Sequence, residues 1–427
     1  MKKIKILLLV FIIVFIGVAG VFGYNYYTKQ KEEKLALEQK EKEEKLLKQI
    51  ENNYGEFVKT NKDAKIYVLD KEYKESGIIS KDTILSLDKQ ELTFETKYFK
   101  ITNLDQEYYI SYEDVSKAES ISKNNRYLNY IPFNKNVITN ETTSFYLNDA
   151  KVYTINKSFN LPIYIMDGDK YFIEYDNQLM YVLKEDVKEI IDNNNSNKEK
   201  ANQIATILYH FIYNPDGGET CYESICHTMS QVQTHIDYLK QNSYFTPTLK
   251  EFEMWIDGKL NLPKKSLVIT LDDGGYGHNA KEIFDRNKIN AALFMVGAWF
   301  DPGQYESEYL EVHSHGYDLH NANVCPGQGN FGGGIMCLPR ETLLADLKKS
   351  REETHMTTYF AYPFYDFNNY SISILKEAGF TMGFGGYYQN GHHNMVVGGD
   401  KFRIPRVTFD STTNNNDLQM VLSTYNY

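Results

Sequence analysis

The sequence predicts an α/β domain in the C-terminal half of the chain, preceded by a β-rich region and by an N-terminal transmembrane helix with a helical stalk. Three observations predict this order. An apolar run opens the chain, short alternating runs rich in Ile, Val, Tyr, Phe and Thr follow it, and continuous apolar runs then alternate with helical ones. At 427 residues the chain is long enough for two or three domains, each with its own core.

Residues 1–28 are predicted to form a membrane anchor. Lysines precede an apolar run from Ile6 to Gly23, which is near the length that a bilayer-spanning helix needs. No small-x-small cleavage site follows, although a cleaved signal peptide is the alternative. Positive charge before the helix favours an N-terminus inside the cell. We therefore expect a single-pass protein of the cell membrane whose remaining residues are extracellular.

The next three segments are predicted from composition. Residues 29–53 are dominated by Lys, Glu and Gln, with opposite charges three or four apart, which indicates a charged helical stalk. Residues 54–191 carry strand-like runs, and the echo between Tyr109–Val115 and Tyr181–Val187 favours two repeats that resemble the SH3-like modules of bacterial cell-wall proteins. Such repeats would bind the wall or only act as a spacer. Residues 192–200 form a polar linker.

Charge and cysteine content restrict the class of protein. The formal net charge of −11 at pH 7 argues against the basic surface that a nucleic acid would require. The four cysteines form two close pairs, Cys221 with Cys226 and Cys325 with Cys337. An even number of cysteines, grouped in pairs that are close in sequence, suggests two disulfides formed in an oxidising compartment. A Cys-rich metal site is the alternative. The second pair would close a Gly-rich loop that is expected to act as a mobile lid.

Residues 201–427 are predicted to form the α/β domain. Leu267–Leu271 and Ala291–Val296 are continuous apolar runs of the buried-strand type. The segments with helical patterns are Ser230–Asn242, Lys281–Asn287, Thr342–Arg351 and Tyr370–Ala378.

Two adjacent carboxylates, Asp272 and Asp273, directly follow the first of these strands. α/β folds place catalytic groups at the carboxyl ends of central strands. Because neighbouring residues at a strand end point in different directions, one Asp can bind a cation while the other faces a substrate. Taken alone, the motif is more typical of a turn with solvated carboxylates.

Three of the ten histidines lie in the segment Val312–His320. Imidazole with carboxylate suits Zn, Fe, Co or Ni, and open coordination positions are the mark of a hydrolytic metal site. His315 and His320 are five residues apart, which fits one face of neither a helix nor a strand. They converge only if His315 ends a strand and His320 lies on the following turn; otherwise the pair is structural.

Together, these motifs resemble those of the polysaccharide deacetylase family, the NodB-like domain of carbohydrate esterase family 4. Residues 270–274 match its first motif, with Leu271 in the place of Phe. The histidine segment resembles the wider-spaced variant of exopolysaccharide deacetylases, and Phe360–Phe364 resembles the third motif. The similarity spans roughly residues 203–410 and implies an irregular (β/α) barrel.

The resemblance also implies a metal-dependent hydrolase that removes N-acetyl groups from a polysaccharide. One divalent ion would be bound, with Zn expected and Co, Ni or Fe as alternatives, and Asp272 would be the general base. A late histidine, His392 or His393, would protonate the departing amine. The implied metal ligands are Asp273, His315 and His320.

The sequence departs from the family pattern at three places. Gly316 stands where a Ser or Thr usually supports the first histidine, and Ala361 stands at the usual Arg position, so Arg406 is expected to replace that Arg as partner of the base. The late Leu-x-His motif that supplies the acid is not recognisable. The residues expected to contact substrate, or else to lie in the core, are Tyr276, Trp299, Tyr362, Pro363 and Phe364.

Three functional hypotheses remain at this point. Deacetylation of peptidoglycan comes first, because the anchor and stalk would hold the site near the cell wall. Deacetylation of a poly-N-acetylglucosamine exopolysaccharide is favoured by the spacing of the two histidines. The third is a non-catalytic wall-binding protein with a degenerate barrel, against which the intact Asp pair and histidine pair argue.

Overall fold

The computed structural model describes residues 27–42, 44–45, 48–49, 52–88, 97–102, 104–120, 123, 125–193, 199–386 and 394–425. The predicted membrane anchor lies outside the described residues, apart from its last two positions, and so do His392 and His393. None of the helices in the described ranges is both long and apolar enough to cross a membrane.

The described chain divides into two compact units. The first falls within Met1–Asn125, Ile138–Phe159 and Glu174–Lys188, and the second comprises the remaining segments Arg126–Val137, Asn160–Ile173 and Glu189–Tyr427. Two short pieces that were predicted in the β-rich region are thus grouped with the C-terminal residues.

The described strands, numbered along the chain, are β1 Phe57–Thr60, β2 Ala64–Leu69, β3 Tyr73–Ile79, β4 Ile84–Ser86, β5 Tyr98–Ile101, β6 Tyr108–Ser111, β7 Val115–Ala118, β8 Lys135–Thr139, β9 Thr143–Leu147, β10 Ala150–Ile155, β11 Asn160–Pro162, β12 Ile165–Asp167, β13 Lys170–Tyr175, β14 Gln178–Leu183, β15 Val187–Asp192, β16 Gln203–Tyr209, β17 Phe211–Tyr213, β18 Cys226–Thr228, β19 Leu267–Leu271, β20 Ala291–Met295, β21 Leu310–Ser314, β22 Tyr359–Ala361, β23 Met382–Phe384, β24 Asn394–Val396 and β25 Val407–Thr408.

The described helices are α1 at 27–42, α2 Met229–Gln241, α3 Leu249–Ile256, α4 Gly277–Asn287, α5 Arg340–Glu353, α6 Asn369–Glu377 and α7 Asn415–Tyr425. Four of them occupy the predicted helical segments to within a few residues. Helix α3 was missed, although Thr248 and Glu251 form a capping box at its start, which is a signal readable from the sequence. The helical residues 27–42 are mostly exposed.

The first unit is β-rich, as the alternating apolar pattern predicts. Its strands pair in antiparallel fashion in the orders β4-β1-β7 and β14-β9-β10-β3-β2-β6-β5. Ile66, Phe99 and Ile110, from three of these strands, are fully buried, so the strands contribute apolar side chains to the core of this unit. The likeness to SH3 modules stays a prediction.

The second unit has an α/β fold around a sheet with the order β23-β22-β21-β20-β19-β16-β24, and β25 also pairs with β16. Strand β24 is antiparallel to β16, while the neighbours from β16 to β23 are parallel. The closed barrel implied by the resemblance stays a prediction. An isolated parallel bridge joins Phe384, the last residue of β23, to Ile404, which precedes β25 in the sequence.

This topology places several chemically reactive residues at one edge of the sheet. Because β16, β19 and β21 run parallel, the residues that follow them meet at the same edge. His210 follows β16, Asp272 and Asp273 follow β19, and His315 follows β21.

Candidate active site

The two aspartates lie on a tight turn at the end of a fully buried strand. Asp273 has φ +72° and Gly274 has φ +102°, so the chain leaves β19 through the left-handed region. Asp tolerates this conformation better than most residues, whereas a Cβ at Gly274 would also meet the Phe300 ring at 2.8 Å. The turn therefore separates the two carboxylates, although they are neighbours in sequence.

His315 and His320 converge on Asp273 in the way that a strand end followed by a turn permits. Strand β21 ends at Ser314, and Gly316 turns the chain with φ +88°. The Nε2 atoms of His320 and His315 lie 3.1 and 3.5 Å from Oδ1 of Asp273. One ligand atom from each of the three residues lies within 4.8 Å of the others.

The orientation of His315 is fixed by the backbone of the neighbouring strand. Its Nδ1 is 2.9 Å from the carbonyl oxygen of Ala361. A carbonyl only accepts hydrogen bonds, so the ring proton belongs on Nδ1, and the Nε2 lone pair faces Asp273. The hydroxyl that Gly316 lacks is thus not what orients this ring, and a side chain at that position would meet Leu319.

The donor set fits a divalent cation. Oδ1 of Asp273 is buried and accepts no hydrogen bond of normal geometry, despite the two ring nitrogens beside it. Burial lowers the pKa of His315 to about 4, so its imidazole is neutral near pH 7. Burial alone would raise the pKa of Asp273, but His320 and His315 outweigh it and lower that pKa to about 2. Two imidazoles and a carboxylate leave open coordination positions for water and substrate.

Asp272 is paired with Arg406. Nη1 and Nη2 of Arg406 lie 2.6 and 2.8 Å from the two carboxylate oxygens, and Nε donates to the carbonyl of Gly385. Burial raises the pKa of Asp272, but Arg406 and His315 lower it below its ordinary value, so the carboxylate is ionised. Ala361, at the usual Arg position, is fully buried and contributes its carbonyl instead.

His210 is a site residue that the sequence reasoning missed. Its Nδ1 is buried without a hydrogen-bond partner. Burial lowers the pKa of its imidazole, and the charges of Asp272 and Asp273 oppose this effect without outweighing it. A polar residue directly after the apolar run Ile204–Tyr209 was the available signal. The expected acids, His392 and His393, lie outside the described residues.

The predicted substrate-contacting residues separate into two groups. Tyr362 and Pro363 are buried, and the Tyr362 hydroxyl donates to the carbonyl of Phe402, so these two residues take the alternative position in the core. The Tyr362 ring belongs to a hydrophobic cluster of the second unit. Trp299 is 49% exposed, and its ring centroid lies 5.1 Å from that of His320.

Phe364 and Tyr276 also lie near the sheet edge. The Phe364 ring is 4.3 Å from the His320 ring, in a backbone conformation with φ +59°. Tyr276 donates its hydroxyl to the carbonyl of Thr220 and packs near Phe211, so its ring is held by neighbours on the chain. Phe364 and Trp299 are therefore the aromatic residues of the predicted set that contact a metal-ligand candidate.

Both predicted disulfides are present. Cys221 pairs with Cys226, and Cys325 pairs with Cys337, so the alternative of a Cys-rich metal site is wrong. The second disulfide closes a loop of residues 325–337, here called the disulfide loop, which follows the His320 turn.

Comparison with known proteins finds similarity to polysaccharide deacetylases. Residues 259–383 match the family model "Polysaccharide deacetylase". YxkH of Bacillus subtilis (strain 168), which carries the name of a polysaccharide deacetylase, is 23% identical over 192 residues, which span 43% of this chain and 65% of YxkH. The chain thus spans just under two thirds of the length of that relative.

Two solved structures show partial similarity to this chain. A de-N-acetylase from Aggregatibacter actinomycetemcomitans is 17% identical, with a TM-score of 0.45, over 51% of this chain and 99% of that one. A polysaccharide deacetylase from Bacillus cereus is 14% identical, with a TM-score of 0.41, over 84% of this chain and 100% of that one. Residues 259–383, which match the family model, contain Asp272, Asp273, His315 and His320. Residues 259–383 of this chain are thus similar to the polysaccharide deacetylase family.

Proposed function

We propose that the chain is a metal-dependent enzyme that removes N-acetyl groups from an extracellular amino-sugar polysaccharide. The observation that carries this proposal is the juxtaposition of two different carboxylates. Asp273 converges with His315 and His320, whereas Asp272 is bound by Arg406. Asp273 can thus bind a cation while Asp272 accepts a proton. A wall-binding protein without catalysis would need neither arrangement.

The reaction consumes water and an acetamide and yields acetate and a free amine. A divalent ion held by Asp273, His315 and His320 would supply Lewis acidity, which lowers the pKa of water and polarises the amide carbonyl. We expect Zn, with Co, Ni or Fe as alternatives, because imidazole and carboxylate ligands suit these ions.

Asp272 acts as the general base in this proposal. Arg406 keeps it ionised and fixes its plane, so the carboxylate can accept a proton from the attacking water. Both of its oxygens are held by the same guanidinium group, and Oδ2 lies 3.9 Å from Nε2 of His315, so the carboxylate lies beside the proposed metal site.

We propose His210 as the group that protonates the departing amine. Its buried Nδ1 has no hydrogen-bond partner, and the residue follows β16 at the same sheet edge at which Asp272 and Asp273 follow β19. The sequence-based candidates for this role, His392 and His393, are the alternative.

The polymer and the location are proposals as well. Peptidoglycan comes first, because a membrane anchor at 1–28 followed by the charged stalk would hold the domain near the cell wall. A poly-N-acetylglucosamine exopolysaccharide comes second, because the spacing of His315 and His320 resembles that of exopolysaccharide deacetylases.

The test measures acetate release from purified peptidoglycan and from N-acetylglucosamine oligomers. We expect release by the metal-loaded protein, loss of activity with a chelator, and recovery when Zn is added back. The Asp273→Ala variant is the matched control, because it should fail to recover. Release that survives both the chelator and Asp273→Ala would contradict metal dependence, and no release from any acetylated polymer would contradict the proposed function.

A further inference from the structure

We infer that Phe331, presented by the disulfide loop, contacts a sugar residue next to the one that is deacetylated, and so selects polymers over single amino sugars. The inference rests on the proposed function. It concerns a residue in a segment that the sequence suggested to be only a mobile lid.

The disulfide loop is fixed at its base. Cys325 and Cys337 form the covalent link, and Cys325 is buried. The N–H of Cys325 donates to the carbonyl of Gly332 at 2.8 Å, and the N–H of Asn323 donates to the carbonyl of Phe331 at 2.8 Å. The two sides of the loop are therefore tied together by main-chain hydrogen bonds as well as by the disulfide.

The same loop is built around a buried carboxylate from another segment. Asp366 is fully buried and accepts hydrogen bonds from the N–H groups of Asn330, Phe331 and Gly333 at 2.5, 3.3 and 2.8 Å. A Cβ at Gly329, where φ is +65°, would lie 2.2 Å from Oδ1 of Asp366. The glycine there permits the backbone to approach the carboxylate closely, so it serves a fixed shape rather than flexibility.

This fixed loop leaves the Phe331 side chain 60% exposed while its neighbours Gly332 and Gly333 are buried. An exposed aromatic ring offers a large, rigid face on which a sugar can stack, provided that it lies near the proposed catalytic site. The ring lies 5.6 Å from that of Phe364, which in turn lies 4.3 Å from that of His320. Phe331 is thus one ring removed from the metal-ligand set.

That position determines which part of a substrate Phe331 meets. The acetamide that reacts must lie at the ligand atoms of Asp273, His315 and His320. Phe364 separates Phe331 from this point, so a sugar ring that stacks on Phe331 belongs to a neighbouring residue of the same chain. Trp299, also half exposed, contacts His320 through a separate ring pair and provides a second aromatic surface. Aromatic rings offer large, rigid faces for the apolar faces of sugars.

The test compares kcat/KM for N-acetylglucosamine, its trimer and its pentamer. For the unaltered protein we expect kcat/KM to rise with chain length. Phe331→Ala should lower kcat/KM for the pentamer by about tenfold through KM, with a smaller loss for the monomer, because stacking on a remote residue contributes to binding rather than to the chemical step. Phe331→Trp should restore the length dependence. Val324→Ala, which truncates another exposed apolar side chain just before the loop, is the control and should leave the length dependence unchanged.

A second arm tests the loop itself. The double variant Cys325→Ser/Cys337→Ser should reduce kcat/KM for the pentamer, and adding it to Phe331→Ala should cause little further loss, because both changes act through the same ring. A length dependence in Phe331→Ala equal to that of the unaltered protein would overturn the inference. If the unaltered protein released acetate from none of the three sugars and none from peptidoglycan, the proposed function itself would be contradicted.

Discussion

Arg406 binds both carboxylate oxygens of Asp272 from a fully buried position, with distances of 2.6 and 2.8 Å. The two residues are far apart in the sequence, and their side chains meet at the sheet edge beside the metal-ligand set. A buried ion pair of this kind is costly to break from one side, since the remaining charge stays buried without compensation.

Replacing Arg406 with Met should therefore affect both stability and pH dependence. The free energy of unfolding should fall by about 3–5 kcal/mol, as is typical when one partner of a buried pair is removed. Arg406 normally outweighs the effect of burial, which by itself raises the pKa of Asp272. Without Arg406 the pKa of Asp272 should therefore rise, so that the base becomes protonated at a higher pH. The acid limb of the kcat/KM profile should then move to higher pH. Arg406→Lys, which keeps the charge, should shift it less. An acid limb that does not move would argue against Asp272 as the base.

The two adjacent aspartates should fail in different ways. Asp273→Ala removes a ligand and should reduce the metal content measured by elemental analysis. Asp272→Asn keeps the shape of the side chain, so metal content should be retained while turnover falls by about 10²–10⁴-fold, the usual contribution of a general base. If Asp272→Asn lost its metal and Asp273→Ala kept metal and activity, the two roles would be reversed.

Substitution of His210 distinguishes the two candidate acids. His210→Gln should lower kcat by about 10²–10⁴-fold with unchanged metal content, because the ring is not among the three ligand candidates. The matched variant is His392→Ala/His393→Ala, assayed with the same oligomer. Wild-type turnover in His210→Gln, together with a large loss in the double variant, would move the role to the late histidines.

His227 should make the protein less stable in mild acid. Both of its ring nitrogens are buried and reach no hydrogen-bond partner of normal geometry. Burial, and secondarily His235, lowers the pKa of its imidazole from 6.5 to about 4. The unfolded chain therefore binds more protons between these values, and the free energy of unfolding decreases as the pH falls from 6.5 toward 4.

His227→Phe should remove this contribution, because an apolar ring needs no proton and no partner. Denaturant unfolding between pH 4 and 7 measures the effect, with the exposed His278→Gln as control. The difference between the variant and the unaltered protein should grow in favour of the variant as the pH falls. A constant difference across this range would contradict the assignment.

The parts of the site that the sequence predicted are those that local pattern determines. A buried apolar run that ends in two carboxylates indicates a strand end, and the turn between His315 and His320 follows from their spacing. His210 was missed because its proximity to Asp272 depends on the parallel register of β16 and β19, in which Tyr209 lies opposite Leu271. No pattern within either segment contains that register.

The points that the sequence left open or misjudged have a similar origin in contacts between distant segments. The sequence did not decide whether Tyr362 contacts substrate or lies in the core, but its hydroxyl donates to a carbonyl 40 residues further along, and the residue is buried. The disulfide loop was expected to be mobile because it is rich in glycine, yet Asp366 holds three of its N–H groups. In both cases a partner outside the local window decided the conformation.

Asp366 has a consequence for how quickly substrates are captured. Its buried carboxylate accepts hydrogen bonds from the main chain of the disulfide loop, so the part of the loop that bears Phe331 is ordered before a sugar binds. Binding therefore carries no conformational-entropy cost for ordering this loop. Encounter would then require no loop closure. Polymers of different length should meet this edge at similar association rates and differ mainly in how long they remain bound.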